Sequence, residues 1–583
     1  MLVALSIFAA AVLGLLYYLR RMMVFDDIPS IKVPLTKAET EDEISAEKYD
    51  PDKHKADGTI PCYDPATMQY LGTMPAMTAD EVNSKVARAW KAAEEWKKSS
   101  FAKRKLALKI MLKYIVENQQ TICRVSARDS GKPMVDAAFG EVIVTCEKIC
   151  WLVNEGEKYL KPEKRSAGIM MFYKSPRVEY VPLGVIGAIV PWNYPFHNVL
   201  NPITAAIFAG NAIVIKVSEH ASWSAKYYGA MISEALKAAG APQDLVQIVT
   251  GYGEAGHALA ASKLGKLIFV GSTGVGRAVM KTCVERLTPV TLELGGKDAL
   301  VVCEDCDLKQ VVQTSLRAAY QACGANCMGG ERFIVQSSVY KAFVKEVVDL
   351  TKQLRQGPAL GGGLVDCGAI CLPGLPEKIH ELVSDAIGKG AKVLAGGQLP
   401  DREGQFYPPT ILTEVTSDMR IWKEEVFGPV MTIVEFETDA DAVKMVNDCD
   451  FALGSNVFSK SSSRANEMAS QIEAGMASIN DYATTYMCQS LPFGGIKESG
   501  FDRFAGIEGL RALCCVKSIS EDAAPWLMKT DIPPALQYPI KPESFEFVTG
   551  LVKMFYAPGL PLRISGLVTL AKCSLFPQKS KSE

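Results

Sequence analysis

The chain opens on an apolar run, Leu2 to Leu19, relieved only by Ser6, Gly14, Tyr17 and Tyr18 and followed at once by Arg20 and Arg21. About 20 helical residues cross ~30 Å of hydrocarbon, so residues 1–21 read as a membrane anchor with its tyrosines at interface depth. The positive-inside tendency of Arg20 and Arg21 keeps the downstream chain in the cytosol, on the endoplasmic reticulum or another endomembrane. The alternative is a cleaved secretory signal, which would want basic residues before the run and small residues after it. Residues 22–58 are charged, poor in large apolar side chains and broken by Pro29, Pro34 and Pro51, the pattern of a solvated linker.

Beyond the linker the hydrophobic period alternates between helix and strand. Thr78 and Glu81 form a capping box ahead of a helix whose Val82, Val86, Ala89 and Ala93 share one face. Val185 to Val190, Ile213 to Val217 and Leu267 to Val270 are short strand-like runs, and Ser222 to Ala239 has helical composition stopped by Gly240. Strand and helix in alternation predict an α/β fold built on a parallel sheet with helical crossovers. Near the end, Phe545 to Phe576 turns apolar again, but Pro558 and Pro561 cut it into pieces too short to span a bilayer. Phe547, Val548, Leu551 and Phe555 recur there at helical spacing, so residues 523–583 read either as a membrane-associated interfacial element or as a face packed on the chain's own core.

At 583 residues the chain exceeds one hydrophobic core. A net charge of -2 without dense Lys/Arg runs excludes nucleic acid as a partner. Sixteen scattered cysteines read as reduced thiols, and five histidines without a CxxC or HExxH pattern supply no metal site.

Candidate chemistry collects in four segments: PWNYP at Pro191 to Pro195, LELGGK at Leu292 to Lys297, GANCMGGER at Gly324 to Arg332 and EEVFGP at Glu424 to Pro429. In this order the chain resembles the aldehyde dehydrogenase superfamily, from DPAT at Asp64 to Thr67 through PFGGIKESGFDR at Pro492 to Arg503. With its extra ends it looks most like a membrane-anchored eukaryotic branch, the plant family-22 enzymes and their fungal relatives. The resemblance implies a Rossmann-type NAD-binding domain at 59–295 that includes oligomerisation strands at about 163–182, a catalytic domain at 296–500 and a C-terminal oligomerisation strand at 501–522. It further implies a homodimer or homotetramer pairing through Ile169 to Val181.

Oxidising an aldehyde through a covalent intermediate needs a thiolate to capture the carbonyl carbon, donors for the oxyanion and a base for hydrolytic release. Cys327, in a turn flanked by Gly324, Gly329 and Gly330, is the nucleophile that the resemblance implies. Cys323, four residues earlier, reads as packing. The resemblance likewise implies Asn193 and the Cys327 amide as the oxyanion donors and Glu293 as the general base, a residue that relatives passing the acyl group to coenzyme A commonly lack. Lys216 and Glu219, just past a strand, stand where nucleotides bind in open α/β sheets, and the resemblance puts both on the adenosine ribose. The Glu219 carboxylate repels a 2′-phosphate, so NAD is favoured, with NADP as the alternative. Gly271, Ser272 and Gly276 of GSTGVG open a helix suited to pyrophosphate. Glu425 and Phe427 resemble the pair that holds the nicotinamide ribose and ring in this family, and Trp192 completes the cofactor set that the resemblance implies.

Three positions depart from the family pattern: Val217 replaces Pro, Ala325 replaces Gln, and Asp502 stands where Gly is commoner. A membrane address points to lipid-derived aldehydes, with Tyr194, Phe196 and Met328 as an apolar entry. The competing reading is a membrane-tethered scaffold or pseudoenzyme on the same fold.

Overall fold

The computed structural model describes residues 27–44 and 46–575, in two compact units. One holds the described residues up to Tyr159 together with Pro182–Cys514; the other holds Leu160–Val181 and the residues from Cys515. The expected membrane helix at residues 1–21 lies outside the described residues. Among the described residues no helix is long and apolar enough to cross a membrane.

The first unit is built on two sheets. The six-stranded sheet runs Gly500–Phe501, Val290–Glu293, Lys266–Val270, Val185–Ile189, Ala212–Lys216, Val246–Val249, all parallel except the first pair. The strands Val185–Ile189 and Ala212–Lys216 are buried along their whole length, as β-branched runs covered by helices on both faces must be. The chain starts this sheet at Val185, builds outward to Val249 and returns on the other side at Lys266. The reversal leaves a crevice beyond the carboxyl ends of Val185–Ile189 and Lys266–Val270, where PWN and GSTGVG begin.

The seven-stranded sheet runs Lys392–Ala395, Thr410–Thr413, Val430–Phe436, Gly330–Gln336, Asp298–Val302, Gly454–Phe458, Met476–Ile479. Alternate side chains of its strands enter two apolar clusters, Val301 and Ile334 in one and Leu300 and Phe333 in the other. Only Leu294 to Lys297 separate Glu293, at the end of a strand in the first sheet, from Asp298, at the start of one in the second. The predicted helices form, over Ala79–Trp96 with its capping box intact and over Ser222–Ala238.

Several expectations need correction. Part of the supposed free linker is docked: Glu39 and His54 are buried, Asp42 pairs with Arg124 at 2.7 Å, and Arg128 donates to the Glu41 and Asp42 carbonyls. Charged composition suggested solvation, yet these charges find fixed partners on the helix Gln119–Ser130. Of the C-terminal strand expected at 501–522, Phe501 instead pairs with Leu292 in the six-stranded sheet, and the strand itself is confined to Cys514–Ile519. In the second unit, residues 169–173 form a turn, and the three-stranded sheet uses Glu163–Lys164, Arg177–Pro182 and Cys514–Ile519.

Candidate active site

Cys327, Asn193 and Glu293 line one cavity of about 270 Å³, together with Trp192, Gly271, Ser272, Glu425 and Phe427. Each arrives from a different element: Asn193 from the loop after Val185–Ile189, Glu293 as the last residue of its strand, and Cys327 from the turn before Gly330–Gln336. Cys323 is sealed in the core beside Cys367, as packing required, on a left-handed backbone with φ of 58°.

Two glycines let the LELGGK segment pack closely on the nucleophile turn and on Glu425. A Cβ on Gly296 would sit 2.1 Å from the Cys327 carbonyl oxygen, and one on Gly295 would sit 2.5 Å from Glu425 Oε2. Glu331 locks the neighbouring loop: it pairs with Lys297 at 2.5 Å and accepts the Val426 and Phe427 amides at 3.0–3.1 Å. Phe427, held at φ 53°, meets the Trp192 ring edge to face at 5.5 Å.

The Asn193 amide is aimed by its neighbours. Asn198 Nδ2 donates to Asn193 Oδ1 at 3.1 Å, which turns Asn193 Nδ2 toward the nucleophile loop, where it donates to the Ala325 carbonyl at 3.0 Å. A backbone carbonyl takes that bond, so the Gln-to-Ala departure at 325 leaves it intact.

Burial pushes the Glu293 carboxyl up to about 7, with the Cys327 thiol opposing and Asp298 adding to the rise. Burial, then Glu293 itself, pushes the Cys327 thiol well above its usual range. The two lie within hydrogen-bonding reach, a neutral thiol facing an acid poised near neutrality. Glu293 Oε1 is buried and has no aligned hydrogen-bond partner. Burial and Glu331 raise Glu425 to about 8, although it accepts the Gly296 amide at 2.9 Å.

Lys216 and Glu219 pair at 3.0 Å at the carboxyl end of the strand Ala212–Lys216. Burial works against the Glu219 charge, but Lys216 holds its carboxyl below the usual range. Both stand apart from the lining of the main cavity, as does Gly276, whose missing side chain admits Leu294. The helix Thr273–Val284 has no side-chain cap on its first turn. Val217, where Pro is usual, donates its amide to the Val249 carbonyl at 3.1 Å, a bond Pro could not make.

The substrate side is aromatic: Phe139, Tyr194, Tyr486, Phe493 and Phe504 line it with Met328. Phe196, expected at the entry, is instead fully buried against Tyr228, because it falls on the inner face of the helix Pro195–Ala209. Sequence reasoning missed Tyr486, whose hydroxyl bonds the His197 ring. Burial, then Lys148, lowers His197 to about 3, so that ring is neutral. Asn198 was also missed, although its place five residues after Asn193, in the first turn of the following helix, could have shown it. Among the described residues no cluster of His, Cys, Asp or Glu is arranged to hold a metal.

The profile of the aldehyde dehydrogenase family matches residues 53–519. An aldehyde dehydrogenase-like protein of Saccharomyces cerevisiae is 38% identical over 88% of this chain and 82% of its own length. The chloroplastic betaine aldehyde dehydrogenase of Beta vulgaris is 32% identical over 80% of this chain and 94% of its own. Among solved structures, PnpE in complex with nicotinamide adenine dinucleotide superposes with a TM-score of 0.77 at 29% identity, covering 82% of this chain and 96% of that one. With the match running through both sheets and all four motifs, the chain belongs to the aldehyde dehydrogenase family, enzymes that oxidise aldehydes with NAD(P).

Proposed function

We propose that this chain oxidises an apolar aldehyde to its carboxylate with NAD, through a thioester on Cys327. The observation that carries the reading is the convergence of the Cys327 thiol, the Asn193 amide and the Glu293 carboxyl on one cavity.

The residues present fit the cofactor. The uncapped helix start at Ser272 offers free backbone amides to a pyrophosphate, and Lys216 with Glu219 suits ribose hydroxyls. Trp192 and Phe427 offer flat surfaces beside Cys327. When bound, NAD supplies the hydride acceptor. Glu219 supports NAD over NADP by repelling a 2′-phosphate.

Glu293 takes the proton of the Cys327 thiol as sulfur bonds to the carbonyl carbon. The resulting alkoxide is held by the second hydrogen of Asn193 Nδ2 and by the Cys327 amide. Collapse of that alkoxide expels hydride and leaves a thioester. Glu293 passes that proton to solvent and then takes one from water, whose oxygen attacks the thioester carbon; collapse frees the acid and returns the sulfur as a thiolate, which recovers its proton from Glu293.

The aromatic lining supports apolar substrates, including lipid-derived aldehydes, and the apolar run Leu2–Leu19 supports work at a membrane surface. The edge strand Cys514–Ile519, open on one side, supports pairing with a second copy. The test is reduced-cofactor formation by the full chain across aldehydes of graded alkyl length, with Cys327→Ser and Cys323→Ser in parallel. Activity should rise with chain length and vanish only in Cys327→Ser. An undiminished rate in Cys327→Ser would overturn the mechanism, and a flat length profile would overturn the substrate class.

A further inference from the structure

The geometry points to a second bilayer contact, at the C-terminal helical hairpin of the second unit, which lies shallowly in an anionic lipid surface. The inference rests on the reading of this protein as a membrane-bound enzyme, but on none of the residues that carry the chemistry.

The hairpin comprises Ser544–Tyr556 and Leu560–Leu575. Its helices meet through glycine: a Cβ on Gly566 would lie 2.5 Å from the Met554 amide nitrogen and 2.7 Å from the Gly550 carbonyl. Backbones this close leave room for few side chains between them, as between helices packed in lipid. The buried cluster is correspondingly small, Phe547 and Cys573 with Ala535, so most apolar side chains face outward. Leu560, Ile564, Leu567, Val568 and Leu575 of the second helix are 52–72% exposed, with Phe545 at 81% on the first.

At about 100° per residue, Ile564, Val568, Ala571 and Leu575 form one outward stripe opposite Gly566 and Cys573. Arg563 with Ser574 borders it on one side, and Lys572 with Ser565 on the other. The helix contains no acid, and across both helices three cations, Lys553, Arg563 and Lys572, stand against Glu546. An apolar stripe between cations fits the boundary of acyl chains and anionic headgroups. Sixteen residues extend roughly 24 Å, short of the ~30 Å needed to cross, so the helix lies in the surface. A second copy's hairpin would bring three cations and a single carboxylate, Glu546, to this rim.

The test uses the full chain on vesicles of phosphatidylcholine with and without phosphatidylserine, doped with a phospholipid carrying a photoreactive acyl chain. Peptide mapping should find lipid adducts on residues 560–575, several-fold more with phosphatidylserine, and Val568→Glu should remove them while short-chain aldehyde turnover stays within twofold. Adducts confined to residues 1–26, or amide protection of 560–575 that depends on protein concentration without vesicles, would overturn it. Loss of turnover in the unsubstituted chain would count against the enzymatic reading alone.

Discussion

Gly296 and Cys327 are in direct backbone opposition: the Cys327 carbonyl occupies the space that a Gly296 side chain would fill. One methyl group there would push the nucleophile loop away from Glu293. Gly296→Ala should therefore lower kcat by about 100-fold or more, since a 1 Å displacement of reacting groups costs that much. Thermal unfolding measured alongside separates a misplaced sulfur from an unfolded chain.

Glu293 gives the reaction its pH dependence. Only the ionised carboxylate can accept a proton, and with a value of about 7 its ionised fraction rises with pH to a plateau above neutrality. Steady-state rates limited by thioester hydrolysis should climb about tenfold per pH unit below that point. Glu293→Gln should abolish the rising limb and, because the same carboxylate takes the thiol proton, keep acyl-enzyme from accumulating in mass spectra. For folding the sign is opposite. The raised carboxyl stabilises the native state fully below the free Glu range and loses that contribution as pH rises through about 7.

Asn193→Ala removes a donor aimed by Asn198, and kcat should fall by about 10²–10³. Asn198→Ala leaves the donor but frees its orientation, so a smaller fall of roughly 10-fold is expected. Equal losses in the two variants would show that Asn198 does more than orient.

Glu219→Gln keeps the side chain's size and removes the charge facing a 2′-phosphate. The NAD to NADP ratio of kcat/KM should drop by about 10-fold or more, read from initial rates with each cofactor. An unchanged ratio would place the discrimination elsewhere.

Asp502 takes φ 68° and reaches Lys266 at 2.5 Å and Thr291 at 2.7 Å. Burial opposes its charge, and Lys266 and Thr291 hold the carboxyl below its usual range. Asp502→Gly relaxes the backbone but strands a buried ammonium, so stability should fall by ~2 kcal/mol, with recovery in the double variant with Lys266→Met.

Much of this site could be read from residue order, because each motif is a local constraint: LELGGK needs its glycines for backbone contact, and GSTGVG ends a strand and starts a helix. The parallel sheet was legible for a similar reason, since Val185–Ile189 and Ala212–Lys216 are apolar throughout. The features that stayed hidden depend on distant partners. Asp42 looks solvated until Arg124 is beside it, Asp502 looks like a tolerated oddity until Lys266 is, and Phe196 is turned into the core by a helix that Tyr194, on the cavity wall, only precedes. The apolar residues 169–173 suggested a strand, yet a turn at Gly168 interrupts the sheet there.

The four residues between Glu293 and Asp298 leave almost no slack between the two layers. Glu293 ends a strand of one layer, and Gly296 abuts the nucleophile carried by the other. The proton acceptor is thus mounted at the seam of the scaffold, and any slippage of one layer against the other would detune the sulfur and the carboxyl together.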